Sequence, residues 1–390
     1  MTPSRTKPRL TAILLIAVIS AVLFAPVIWR LAATGYDYQV HMGIAANMLK
    51  TGTVNTPHFL LQAGAILFSP LAGGIFNATV VLVLLAEAMT AVIVFSYILP
   101  GKEPSRLALP MTLALLLAAP VAILFPLDRH LYLGYIGINL FHNPTMFLLK
   151  PLALLSFTYI LKSLESDTSL PVTALVISAI LTVAAAVAKP SYTIVILPAL
   201  AIFLSGMIIL KRRFDWKFHL CSVFIPAVVI LLVQYRMTYS AEQVQGVYSG
   251  ASGIIFAPLA VMSSYSAFLL PKLLLSLLFP LAVFCANYRE AVKDTGIQLG
   301  WLAFGIGCFY TYFLAESGPR MLQGNFSWSA QVSLFILFAA SAKLLLRSSS
   351  HLSEGAGKTR LFLCGAALVL HASFGIAFYI AEFARTELYW

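Results

Sequence analysis

Charge is what this sequence has least of. Only 10% of its 390 residues are charged, and the 14 acids are outnumbered by 25 Lys and Arg, for a net charge of +11. Soluble globular domains are about a quarter charged. With 60% hydrophobic residues and a mean hydropathy of +0.91, a water-soluble fold could not hide this chain's apolar surface, and part of its solvent must be lipid. Cysteine is also scarce. Cys221, Cys285, Cys308 and Cys364 all fall in or beside apolar runs, with no CxxC and no metal-ligand spacing, so they read as small apolar residues. HExxH, a P-loop, a dinucleotide fingerprint and a serine-hydrolase elbow are all missing. No internal repeat, low-complexity tail or separate soluble domain is present. The positive net charge does not point to nucleic acid, because no basic run with interleaved aromatics stands in a polar segment. In multispanning proteins such charge marks cytoplasmic loops.

What is there is a series of apolar runs. Their spacing predicts an all-α polytopic membrane protein of about eleven spans, since a hydrocarbon core of roughly 30 Å needs about 20 residues of helix. The spans are expected at 10–29, 78–99, 107–126, 145–163, 170–188, 191–210, 219–237, 267–286, 297–315, 328–346 and 361–382. The first exceeds the apolar core of a signal peptide and lacks a clean small-residue cleavage site, so it reads as a retained span. A further apolar stretch, FLLQAGAILFSPLAGG (59–74), is short and interrupted by Pro70 and glycines, which suits a re-entrant or surface helix.

With 59–74 not crossing, most Lys and Arg fall on one face, and KRRFDWK (211–217) is the densest cluster. This predicts a cytoplasmic N-terminus and an outer C-terminus in a cell inner membrane. The outer loops are then 30–77, 127–144, 238–266 and 316–327, with a short turn, AKPSY, at 188–192. They hold most of the unusual polar residues, and loops are where function concentrates.

Three segments stand out. ATGYDYQVHMGIAANMLKTG (33–52) places Asp37 just past the first span. Val40, Ile44, Met48 and Leu49 are spaced for a short amphipathic helix on the membrane surface. A carboxylate there suits a general base; the alternative is a helix N-cap. Asp37 and His41, with His58, could also be drawn as a metal site, but no tight His cluster accompanies them, and no metal is expected. FPLDRHLYLGYIGINLFHNPTMFLLKP (125–151) embeds Asp128, Arg129, His142, Asn143 and Lys150 among apolar residues, the pattern of a pocket-lining segment. Asn143 before Pro144 could equally cap a helix, and Tyr132 and Tyr135 could belong to an interfacial aromatic belt. Lys150, Lys189, Lys272 and Arg320 lie near outer boundaries, where they could snorkel or bind a lipid phosphate. AESGPRMLQGNFSW (315–328) combines Glu316, Arg320, Gln323 and Asn325, a mixture suited to an anion and a polyol together. Tyr38 and His41, beside Asp37, complete the candidate substrate-binding set.

A first span, an outer loop with an early acid and tyrosine, and an amphipathic helix ending in LKTGTVNTP together resemble the GT-C class of membrane glycosyltransferases. YDYQVHMGIAANMLKTG is similar in layout to the Asp-Tyr-x-Val segment of the GPI mannosyltransferase and of bacterial polyprenol-dependent mannosyltransferases. The motif covers about residues 10–75. It departs from many members in having Tyr38, not a second acid, after Asp37. The resemblance implies a GT-C-like fold, Asp37 as catalytic acid residue and a polyprenyl-phosphate sugar as donor. The acceptor would be a hydroxyl of a glycan, lipid or protein, with membrane lipids as the other partners and no nucleic acid. It implies direct displacement at the anomeric carbon, for which a lipid phosphate is a good enough leaving group to need no metal or cofactor. A lipid-linked polysaccharide polymerase is the nearest rival, and would depend on outer-loop arginines instead of Asp37. A lipid-linked sugar flippase or transporter would instead use ionisable groups inside the spans, of which Glu87 and His371 are the candidates.

The orientation is testable by cysteine labelling from outside. Residues introduced near Gln245 should react and those near Arg213 should not; the reverse pattern overturns the topology and moves every candidate site to the other face.

Overall fold

The computed structural model describes residues 7–99, 107–239, 253–349 and 356–384. Gln245 lies outside these residues, as does the 240–252 part of the 238–266 loop. Helix dominates, as lipid demands, because a helix satisfies its backbone hydrogen bonds within the segment. In chain order the helices are α1 (Lys7–Thr34), α2 (Tyr36–Thr51), α3 (Leu60–Ala72), α4 (Ile75–Ile98), α5 (Ala108–Leu117), α6 (Phe125–Asp128), α7 (Pro144–Glu165), α8 (Val172–Ala188) and α9 (Ser191–Ile209). There follow α10 (Trp216–His219), continued through a π-helical turn into α11 (Ile225–Tyr239), then α12 (Ala260–Ser263), α13 (Leu269–Ser276), α14 (Leu278–Ala286), α15 (Tyr288–Ala291), α16 (Thr295–Phe313), α17 (Ser327–Ser348) and α18 (Ala356–Ala384). Two short strands, β1 (Ile254–Phe256) and β2 (Leu314–Glu316), pair antiparallel, with Ile254 opposite Glu316.

Among the described residues, seven helical stretches are long and apolar enough to cross a membrane, or eight if α13 and α14 form one span. The chain is an all-helical, multi-pass membrane protein. Three expected spans differ in form or length. The run at 107–126 is helical only to Leu117. Pro120 excludes Ala119 from the helical region, and the chain runs on without helix to Ile123. The run at 267–286 is two helices bent by 61°. Pro280 has no N–H to offer the carbonyl four residues back, at Ser276. The helix within 170–188 is 17 residues long. The stretch at 59–74 is α3, which folds back on α4. A Cβ on Gly64 would lie 2.9 Å from Leu82 Cδ1. Gln62 bonds His41 near its start, and Phe76, just past its end, packs on Trp29. Both ends of α3 therefore lie at one end of the bundle.

The centre is α17, nearly all of whose residues are buried, with α16, α14, α9, α4 and α7 packed about it. Lipid offers no hydrophobic drive between helices, so close approach through small residues supplies the packing. At Gly307 of α16 an added Cβ would meet Ala330 Cα of α17 at 2.7 Å. At Gly375 the backbone of α18 comes close to that of Leu117 at the end of α5. Buried polar side chains serve backbone where the helices break. The amide of Asn139 donates to Leu115 O at 2.8 Å and Ala118 O at 2.9 Å. His371 Nδ1 contacts Ala119 O at 2.6 Å, and Ala119 N donates to His371 O at 3.0 Å.

Gly307→Ala should destabilise the protein by about 1–3 kcal/mol, the usual cost of overpacking, because the new methyl meets backbone that cannot yield. A thermal unfolding midpoint in detergent equal to that of the unsubstituted protein would contradict this packing.

Candidate functional site

One end of the bundle holds a cavity of about 830 Å³ between α2, the loop before α7, the α8–α9 turn, α11 and the segment leading into α17. Val40, Tyr235 and Ile254 line it and are themselves exposed, so it opens sideways as well as outward. Its chemistry divides into two polar groups.

The first is built on Asn143. Its side chain caps α7, Oδ1 accepting from Met146 N at 3.2 Å. The same oxygen accepts from Thr145 Oγ1 at 2.7 Å and from Lys189 Nζ at 3.3 Å. These donors fix the amide orientation, and Nδ2 donates to Asp37 Oδ2 at 2.7 Å. Asn143 thus stands between the carboxylate of α2 and the lysine at the end of α8. Lys189 Nζ also lies 3.7 Å from the Trp328 ring centroid, a cation–π contact. Asp37 Oδ1 accepts no hydrogen bond from a described residue and is the free face of the carboxylate in the cavity wall. Asp37 is not an N-cap. Gly35 occupies that position, without a side-chain cap, and Asp37 sits in the first turn, where the helix dipole favours an anion.

The second group surrounds Glu316 at the end of β2. Tyr239 donates to its Oε1 at 3.1 Å, Asn325 to its Oε2 at 2.5 Å, and Arg320 pairs with Oε2 at 3.1 Å. Gln323 Oε1 accepts from Arg320 Nε at 3.3 Å and from Asn325 at 3.2 Å. Both oxygens of Glu316 are therefore engaged, which leaves Asp37 as the cavity carboxylate with an oxygen to offer. Between the groups stand His41, His58, Tyr132 and His142. His41 Nδ1 is 2.7 Å from Gln62 Nε2, and Tyr132 packs edge-on to His142 at 4.9 Å.

Burial sets the charges. It raises the Asp37 carboxyl above its usual range, against the opposing influence of Lys189 and the Asn143 hydrogen bond. Burial, aided by Lys189, pushes His41 down to about 3 and holds His142 well below its usual value. His58 is also held well below, by burial and then by His41, Lys189 and Arg320. All three imidazoles are neutral at pH 7, able to exchange hydrogen bonds without adding charge. Burial brings the Lys189 ammonium down to about 7, with Asp37 opposing the shift.

The cavity brings together Asp37, His41, His142, Asn143, Lys189, Glu316, Arg320 and Gln323. It leaves out four residues expected to bind substrate. Tyr38 is fully buried in the core, on the opposite face of α2 from Val40. Asp128 pairs with the buried Lys272 at 2.7 Å and accepts from Ser266 at 2.5 Å, while Arg129 is exposed beside it. Lys150 lies inside the bundle and donates to Asn139 Oδ1 at 2.6 Å. The apolar face expected for α2 is also rearranged: Tyr38, Ala45 and Met48 are buried, whereas Val40 and Leu49 are exposed. Tyr132 and Trp328 line the cavity, and so do Tyr239 and Gln234 of α11. The signal for Gln234 was a lone amide in an apolar run; its Nε2 ties the Pro57 and Ala186 carbonyls, at 2.8 Å each. Among the described residues no group of three His, Cys, Asp or Glu is placed to hold a metal ion.

No protein-family model matches this chain, and no curated protein matches it either.

Lys189 should react with an amine-directed reagent with half-maximal rate near pH 7, read residue by residue by mass spectrometry. Asp37→Asn removes the charge that opposes the shift and should move that midpoint lower. A Lys189 midpoint near that of exposed lysines, unchanged by Asp37→Asn, would contradict the arrangement.

Proposed function

We propose that this protein is a GT-C-like membrane glycosyltransferase. It would move a sugar from a polyprenyl-phosphate donor to a hydroxyl acceptor on the outer face of the membrane. The observation that carries the reading is the single available oxygen of Asp37, held at the wall of a large cavity that is open to the side. An acceptor hydroxyl placed there gives its proton to Asp37 Oδ1 as its oxygen attacks the anomeric carbon. The bond from that carbon to the phosphate oxygen breaks, and the lipid phosphate leaves with the electron pair. Lys189, whose charge no salt bridge takes up among the described residues, is the counter-ion for the phosphate as its charge develops. Arg320 already shares its charge with Glu316, so that group fits the hydroxyls of a sugar better than a phosphate. Trp328 and Tyr132 offer rings for a pyranose face.

The course of the chain supports about eleven crossings, with α5, α8, α13–α14 and the 19-residue α16 counted as passages beside the seven long apolar stretches. It also supports an outer cavity. Arg347 pairs with Asp294 at 2.9 Å, and Lys343 lies over Tyr97 at 4.7 Å, both at the end of the bundle away from Asp37, where α9 delivers Lys211, Arg212 and Arg213. That cationic end is the cytoplasmic one by charge bias. The ionisable groups within spans have local partners: His371 holds the broken end of α5, and Glu87 lies beside Lys150.

Asp37→Asn keeps the size of the side chain and can still accept from Asn143. It should fold normally yet lose about 10²–10⁴-fold in transfer rate from a polyprenyl-phosphate sugar. Lys189→Ala should weaken donor use about ten- to a hundredfold, while Lys343→Ala should not. Near-normal transfer by a folded Asp37→Asn variant would sink the assignment.

A further inference from the structure

A second cavity, of about 810 Å³, lies at the opposite end of the bundle, between the end of α14, α15 and the start of α18. Its origin is local. The chain leaves the axis of α14 at Asn287, where φ is −120° and ψ is 33°, and continues as α15. This opens a wedge between two helices that pack against each other deeper in the bundle. The walls are Ala282, Cys285 and Leu363, and the rim carries Arg289 and Arg360. Among the described residues neither arginine forms a salt bridge. The one acid in the lining, Glu290, accepts a hydrogen bond from Ser348 of α17. The wedge therefore combines two guanidiniums and one carboxylate, a net positive rim, above apolar walls, and the walls continue into the exposed Leu363 and Phe362 of α18.

We propose that this wedge is a specific site for an anionic glycerophospholipid. The two guanidiniums, which present paired N–H donors suited to phosphate oxygens, hold the head group, and an acyl chain descends along Cys285 and Leu363. Charge complementarity selects the occupant: a zwitterionic head group brings its own cation to a rim whose two guanidiniums already outweigh the Glu290 carboxylate. Basic pockets between membrane helices on the cytoplasmic side are a recurrent mode of anionic-lipid binding. The site stands apart from the Asp37 cavity and does not depend on the reaction assigned there.

The test is native mass spectrometry of the full-length protein in detergent, titrated with phosphatidylglycerol or phosphatidylcholine. One phosphatidylglycerol should be retained in preference to phosphatidylcholine. Arg289→Ala with Arg360→Ala should weaken that retention about ten- to a hundredfold, the scale of charge-assisted contacts. Arg289→Lys with Arg360→Lys should keep most of it, which separates lost charge from lost fold. Arg212→Ala with Arg213→Ala, at the same end of the bundle, should leave it intact. Equal retention of the two lipids, or unchanged retention in the double alanine variant, would overturn the proposal. Displacement of the lipid by equimolar inorganic phosphate would do the same, by reducing the site to a simple anion pocket.

Discussion

Backbone that leaves the helical path inside a bilayer must find its hydrogen bonds within the protein, and the segment from Ala118 to Asn143 is where this chain meets that demand. Halfway along α18, His371 takes up Ala119. Asn139 takes the last carbonyls of α5, and Val121 N donates to Leu275 O of α13 at 3.3 Å. Further on, Ser276 Oγ accepts from Ile136 N at 3.0 Å, and the buried Lys272 holds Asp128 and the His130 carbonyl. Because this segment is anchored in the bundle, Tyr132, His142 and Asn143 can stand as fixed walls of a cavity.

The same economy runs through the site. One amide, Asn143, ends the anchored segment, caps α7 and separates Asp37 from Lys189. A direct ion pair would have spent the Asp37 carboxylate on the lysine, as Glu316 is spent on Arg320, Asn325 and Tyr239. With the amide between them, the anion keeps an oxygen for the cavity and the lysine stays out of a salt bridge, each tuned by burial and by the other at a distance. The neutral histidines around them add hydrogen bonding without altering that balance.

Much of this organisation was legible in the sequence, for reasons particular to each element. A helix after the first span was readable from the polar stretch emerging from an apolar run, but the face it buries, with Tyr38, Ala45 and Met48, was not. The cap role of Asn143 was readable from the following Pro144, but its bond to Asp37, 106 residues away in sequence, was not. Lys150 and Lys189 looked alike, as lysines near span ends. One turns into the bundle toward Asn139, the other into the cavity over Trp328, and which way each turns depends on neighbours brought in by other helices. Tyr38 looked like a partner of Asp37 because the two are adjacent, yet adjacent residues on a helix face different directions, and Tyr38 faces the core.

The sequence by itself determined a multi-pass helical membrane protein and the polar segments around Asp37, Asn143 and Glu316, because hydropathy and span length act locally along the chain. The tertiary structure decided which apolar helices are continuous and which are broken, and that α3 folds back on α4. It also decided which cations reach the cavity and which carboxylate keeps a free oxygen. Those outcomes depend on partners such as His371, Asn139 and Asn143, whose hydrogen bonds join segments far apart in sequence and exist only once the bundle has closed.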